Sequence, residues 1–274
     1  MVDIARVREA MLAEARGYDY EPVERVVDVE AGGVDATLLV PAGAGSRGIV
    51  FLHGGGFVYG GRGVHDAQAR RLAVRTRSRV LAVHYRRAPE HPFPAAVHDA
   101  LAAADWLADT AAEWGIDPGR LVSLGDSAGA NLAQVLTLRR PGRFRAQVLV
   151  YPFLDPHGET YDEAADSPEL GVDEAAWYWR QYAPDPALRA DPDLDPLRSA
   201  GLASQPPTLL QLAERDLLAA TGRELARRMA AAGVVPEVLT YPGVPHGFWR
   251  RTEQYPQAEQ ALADLAGFLA RVDP

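Results

Sequence analysis

Apolar residues follow two rhythms along this chain. Short, nearly unbroken apolar runs occur at 47–53, 80–85, 121–124, 147–151, 208–213 and 237–241. Runs of that length, bounded by glycine, proline or charge, predict strands buried on both faces. Elsewhere apolar residues return every three or four positions, which predicts helices over 95–114, 128–139, 221–232 and 257–272. In the last of these, Ala258, Leu262, Leu265, Leu269 and Val272 form one stripe. Residues 1–20 also predict a helix, with Ile4, Val7, Ala10, Met11 and Ala15 at helical spacing. Segments 23–29 and 35–40, joined through Gly32-Gly33, predict a hairpin. Apolar strands alternating with helices imply an α/β fold: a mostly parallel sheet flanked by helices, made antiparallel at one edge by the hairpin.

One stretch breaks this alternation. Residues 155–205 are long, acidic and proline-dotted, with an aromatic knot at Trp177, Tyr178, Trp179 and Tyr182. A gap of that size inside a compact unit is expected to be a functional insertion. It reads as a cap over the carboxyl end of the sheet in a single domain spanning 1–274. Residues 155–174 carry eight carboxylates and no arginine, which would disfavour anionic substrates.

The turn after the run 121–124 carries the first candidate chemistry. Gly125-Asp126-Ser127-Ala128-Gly129 stands between a predicted strand and a predicted helix. A serine on such a tight turn has strained backbone angles, and its neighbours two residues away need glycine to avoid collision. Its hydroxyl then stands at a helix N-terminus, where free N–H groups favour developing negative charge. His53-Gly54-Gly55-Gly56 ends an earlier strand, and consecutive glycines let bare N–H groups approach a substrate oxygen. Either motif alone is suggestive; the pair is specific. A nucleophilic Ser127 needs a base and an acid, which follow it in the order acid then histidine on a strand–turn–helix scaffold. His246 is the histidine that follows a plausible acid, and Asp216, with Glu214 as rival, stands after the run 208–213. His65, His91, His98 and His157 fall on predicted loops or helix surfaces. His84 comes off a buried strand as a hydrogen-bonding core residue, and His53 supports the glycine loop.

Composition narrows the chemistry. There is no cysteine, so disulfides and a thiol nucleophile are excluded. All 28 basic residues are arginine, which excludes a Schiff-base lysine and a phosphate-binding-loop lysine. No histidine pair has metal-ligand spacing, so neither metal nor cofactor is expected. A net charge of −9 argues against nucleic acid or an anionic membrane as partner. No apolar run is long enough to span a bilayer, and no secretory signal opens the sequence, so a cytoplasmic location is expected.

Taken together, these residues resemble the hormone-sensitive-lipase-like, HGGG-type bacterial carboxylesterases of the α/β-hydrolase fold. The likeness rests on 53–56, Tyr85-Arg86 with 88–96, 125–129 with Asn131-Leu132-Ala133, Asp216, and His246-Gly247-Phe248, spanning about 200 residues. The resemblance implies a Ser127–His246–Asp216 triad and oxyanion donors from the N–H groups of Gly55, Gly56 and Ala128. His84, Arg87 and Ala130 depart from the family pattern of aspartate, leucine and glycine, and the segment before residue 53 is short, so the resemblance implies a reduced cap made by about 1–20 with 155–205. Phe57, Asp126 and Phe248 beside the motifs, with Trp177, Trp179 and Tyr182, are candidates for the substrate pocket; the last three also suit packing of a cap helix. The expected function is hydrolysis of a short-chain, small-molecule ester through an acyl-enzyme. An arylformamidase-like amide hydrolase, a non-hydrolytic biosynthetic enzyme and a receptor remain as alternatives. Oligomeric state is open, with a homodimer through the last strand and final helix as the arrangement the resemblance suggests.

Overall fold

The computed structural model describes residues 2–273. Eight strands make one sheet, ordered β1 (Arg25–Ala31), β2 (Val34–Val40), β4 (Arg79–Val83), β3 (Gly48–Leu52), β5 (Leu121–Asp126), β6 (Ala146–Val150), β7 (Thr208–Arg215) and β8 (Glu237–Pro245). The hairpin β1–β2 and the β2–β4 pair are antiparallel. All remaining pairs are parallel.

Strand side chains alternate between two cores. In β3, Ile49 and Phe51 join the cluster beneath α2 (Asp66–Thr76) and α7 (Pro256–Val272). Val50 and Leu52 enter the opposite cluster, beneath α3 (Ala95–Asp109), α4 (Ala128–Arg139) and α6 (Ala219–Ala231). β4 repeats the division, with Val80 and Ala82 on one side and Leu81 and Val83 on the other. Because successive residues of a strand point to opposite faces, an all-apolar strand is stable only with helices on both. Each large side chain so buried contributes roughly 1.5–3 kcal/mol.

Two helices lie off this sandwich and define the site. α1 (Ile4–Ala15) is capped by Asp3, whose carboxylate accepts the Arg6 N–H at 3.1 Å. Arg8 pins it by donating to Val58 O at 3.0 Å, Ala88 O at 2.9 Å and Glu90 at 2.7 Å. α5 (Val172–Tyr182) is the one α-helix described within 155–205. Among the described residues no helix is long and apolar enough to cross a membrane.

Three elements differ from the sequence reading. α2 carries no apolar stripe: small Ala67, Ala69 and Ala73 join Leu72 in its buried face, and Gln68 and Arg71 are buried with them. The helix expected to reach Trp114 ends at Asp109, where Thr110 Oγ1 donates back to Trp106 O at 2.8 Å, and a 3-10 turn follows. β8 continues to Pro245, past a register shift between Ala213 and Arg215 of its neighbour.

Candidate active site

β5 ends at Asp126 and α4 begins at Ala128, so Ser127 makes the turn alone. Its backbone sits at φ 54° and ψ −118°, a conformation that costs a residue with a side chain about 1–3 kcal/mol. Close backbone packing enforces it. A Cβ on Gly125 would lie 2.2 Å from Gly129 O, and one on Gly129 would lie 1.9 Å from Leu52 O. Glycine at both positions lets α4 start directly against the ends of β5 and β3. The Ser127 N–H is held by Val150 O at 2.9 Å, and the residue borders a cavity of about 640 Å³.

His246 follows β8 and meets the serine from the other side. Ser127 Oγ–H donates to His246 Nε2 at 2.9 Å, and His246 Nδ1–H donates to Asp216 Oδ2 at 2.8 Å. An ionised carboxylate only accepts, which puts the imidazole proton on Nδ1 and leaves Nε2 as the acceptor. Asp216 is fully buried, and its other oxygen takes the Leu218 N–H at 2.9 Å. Glu214 points to solvent and holds the Gly243 N–H at 2.8 Å instead.

The glycine loop is anchored from beneath. Asp126 Oδ1 accepts the Gly54 N–H at 2.9 Å, and its Oδ2 accepts the Tyr151 hydroxyl at 3.4 Å. Burial pushes the Asp126 carboxyl above its usual range. Tyr85 O–H donates to His53 O at 2.6 Å, and the His53 ring stacks on Tyr85 and His65 with centroids 4.2 and 4.8 Å away. Burial drives the His53 pKa down to about 3, so the ring is neutral and its Nδ1–H donates to Gly54 O at 2.8 Å. His65, expected on a loop or helix surface, is therefore a buried support of this loop. It reads as a loop residue because no apolar pattern surrounds it. Among the described residues, nothing accepts the N–H groups of Gly55, Gly56 or Ala128. Gly55 and Gly56 border the cavity beside Ser127.

A family model described as alpha/beta hydrolase fold matches residues 49–250. The chain belongs to this hydrolase family. Ethyl acetate hydrolase of Pseudomonas putida is 37% identical over 232 residues, covering 81% of this chain and 72% of that protein. Esterase LipI of Mycobacterium tuberculosis is 35% identical over 273 residues, covering 92% and 85%. The crystal structure of an esterase from the bacterial hormone-sensitive lipase family matches with a TM-score of 0.89 at 26% identity, covering 100% of this chain and 93% of that one. The resemblance read from the motifs thus holds.

The cavity of this hydrolase is walled differently from the sequence expectation. Asp126 and Trp177 border it, whereas Phe57, Trp179, Tyr182 and Phe248 do not. Phe57 stacks on Tyr182 at 3.8 Å and Trp179 on Phe153 at 4.3 Å, so these rings fasten α5 to the sheet. Phe248 packs between Tyr151 and Tyr241 behind the histidine. The missed walls are Met11 on α1, Tyr59 after the glycine loop, Tyr178 on α5, and Arg250. One signal was available. Ala175, Trp179 and Tyr182 are spaced four and three apart and share the buried face, which turns Trp177 and Tyr178 the other way.

None of the three departures from the family pattern borders the cavity. His84, half-buried as a hydrogen-bonding residue, has Nε2 3.0 Å from Thr37 Oγ1. Arg87 donates to Gly60 O just beyond the glycine loop. Ala130 is buried in the first turn of α4, where its N–H bonds Ser127 O at 3.0 Å.

Proposed function

We propose that this hydrolase is a serine carboxylesterase acting on short-chain esters through an acyl-enzyme. The observation that carries the reading is the unbroken relay from Ser127 Oγ through His246 to Asp216, at 2.9 and 2.8 Å, opening on a cavity bordered by donor N–H groups. As Ser127 Oγ attacks the ester carbonyl, its proton passes to His246 Nε2, and Asp216 stabilises the resulting imidazolium. The carbonyl oxygen becomes an alkoxide that the N–H groups of Gly55, Gly56 and Ala128 are free to receive. Collapse of that intermediate breaks the C–O bond, and the alcohol leaves with the proton from His246. Water then repeats the sequence on the acyl group, releasing the acid and restoring Ser127. α1 and α5, which wall the cavity, act as the reduced cap. The names of the relatives, ethyl acetate hydrolase among them, support a small ester as substrate.

Ser127→Ala is expected to lower turnover of 4-nitrophenyl acetate by at least about a thousandfold and to abolish labelling by a fluorophosphonate. Full turnover by the variant would overturn the reading.

A further inference from the structure

Of the eight carboxylates in 155–174, Glu169, Asp173 and Glu174 border the cavity beside Ser127 and the other five do not. Asp155 is buried and consumed by the N–H groups of His157, Gly158 and Thr160. Glu159 pairs with Arg198 and Asp166 with Arg215, each at 2.7 Å. Glu169 pairs with Arg251 at 2.8 Å. Asp173 and Glu174 stand in the exposed first turn of α5, the latter accepting from Tyr178 O–H at 3.2 Å.

Three arginines border the cavity as well: exposed Arg180, Arg251, and Arg250 beside the histidine. Arg250 ends the turn Phe248–Arg250 that follows His246-Gly247, four residues after the histidine. Buried Phe248 and Trp249 fix this turn. The guanidinium folds back toward the histidine, with one terminal nitrogen 3.9 Å from where a Cβ on Gly247 would stand. Arg250 is half-buried, and among the described residues its guanidinium has no ion-pair or hydrogen-bond partner. Its charge acts on Asp126 and Tyr151 at the cavity floor and on Glu169 and Tyr178 at the cap. Neighbouring Arg251 is already engaged by Glu169. A half-buried guanidinium has lost solvation without gaining a hydrogen-bonded carboxylate in direct contact, and its planar fork matches one bidentately.

We propose that Arg250 is a specificity-determining residue that binds a carboxylate carried by the substrate, so that the preferred esters are anionic. The proposal rests on the esterase reading and names the substrate class for the same site. The carboxylate has two sources, the acyl part or the alcohol part, and two matched pairs of esters separate them. Monomethyl glutarate against methyl 5-methylhexanoate probes the acyl side. The anion of 3-acetoxypropanoic acid against isopentyl acetate probes the alcohol side. In each pair the members share shape and differ in charge.

The measurement is the ratio of kcat/KM for the anionic ester to that for its neutral partner, in the parent enzyme and in Arg250→Gln and Arg250→Lys. In one pair the parent is expected to favour the anion. Arg250→Gln should cut that ratio at least about tenfold, equivalent to about 1.4 kcal/mol, and Arg250→Lys should restore part of it. A smaller change in both pairs overturns the proposal. The neutral esters keep the two readings apart. If the parent hydrolyses them while the ratio ignores Arg250, only the carboxylate site falls. If no ester is hydrolysed, the esterase reading falls and takes the site with it.

Discussion

Glu214 and Asp216 are two residues apart, so the pleat of a regular strand would point both the same way. The register shift between Ala213 and Arg215, together with the end of β7 at Arg215, breaks that parity. Asp216 turns inward to His246 while Glu214 faces solvent. Asp216→Asn is expected to lower kcat for 4-nitrophenyl acetate by about ten thousandfold, because the amide no longer holds the required imidazole tautomer. Glu214→Gln keeps an acceptor for the Gly243 N–H, and its kcat should stay within about twofold of the parent; steady-state kinetics on both variants decides. Ser127 and His246 were legible in the sequence because glycine spacing and chain order carry them. The choice between the two acids was weaker, since a bulge leaves no mark in composition. Arg250 was not legible at all, because its meaning lies in the partner it lacks.

At the scale of elements, α1 and α5 shape the cavity without belonging to the sheet. α5 is fastened by aromatic stacking, and its Trp177 and Tyr178 reach across to Tyr59 at 6.1 and 5.8 Å. α1 is fastened mainly through Arg8. Removing that side chain in Arg8→Ala leaves the carbonyls of buried Val58 and Ala88 without their donor, at a cost of about 1–3 kcal/mol. The expected result is a fall in Tm of a few degrees by calorimetry, with faster amide exchange across 4–15. Strands and the long helices were readable because their apolar periods are strong. α2 escaped notice because Leu72 is the one large apolar residue in a buried face otherwise made of alanine, glutamine, arginine and threonine, too weak a stripe to read. The pocket-facing side of α5 was half readable: its period was present, but its orientation came only from what it packs against.

For the whole molecule, two buried imidazoles set an acid limit. Burial holds His53 at about 3 and His65 well below its ordinary 6.5. In the unfolded chain both take up protons near pH 6.5. Below that pH the unfolded state therefore binds more protons than the folded one. The His53 contribution is complete above about pH 6.5 and is lost as pH drops toward about 3, by up to about 1.4 kcal/mol per pH unit, and His65 adds a loss of the same sign. Urea midpoints measured from pH 7 to 5, above the range where most carboxylates titrate, should decline with acidification, and more gently in His65→Gln. A flat profile would remove the effect.

The contact between Gly129 and the carbonyl of Leu52 has one more consequence. The first turn of α4 and the end of β3, far apart in the chain, lie main chain against main chain, so the spacing between the Ser127 turn and the glycine amides opposite it owes little to any rotamer. Warming frees side-chain torsions long before it parts hydrogen-bonded strands. Catalytic rate in this protein should then climb smoothly with temperature and break off only where the whole fold melts.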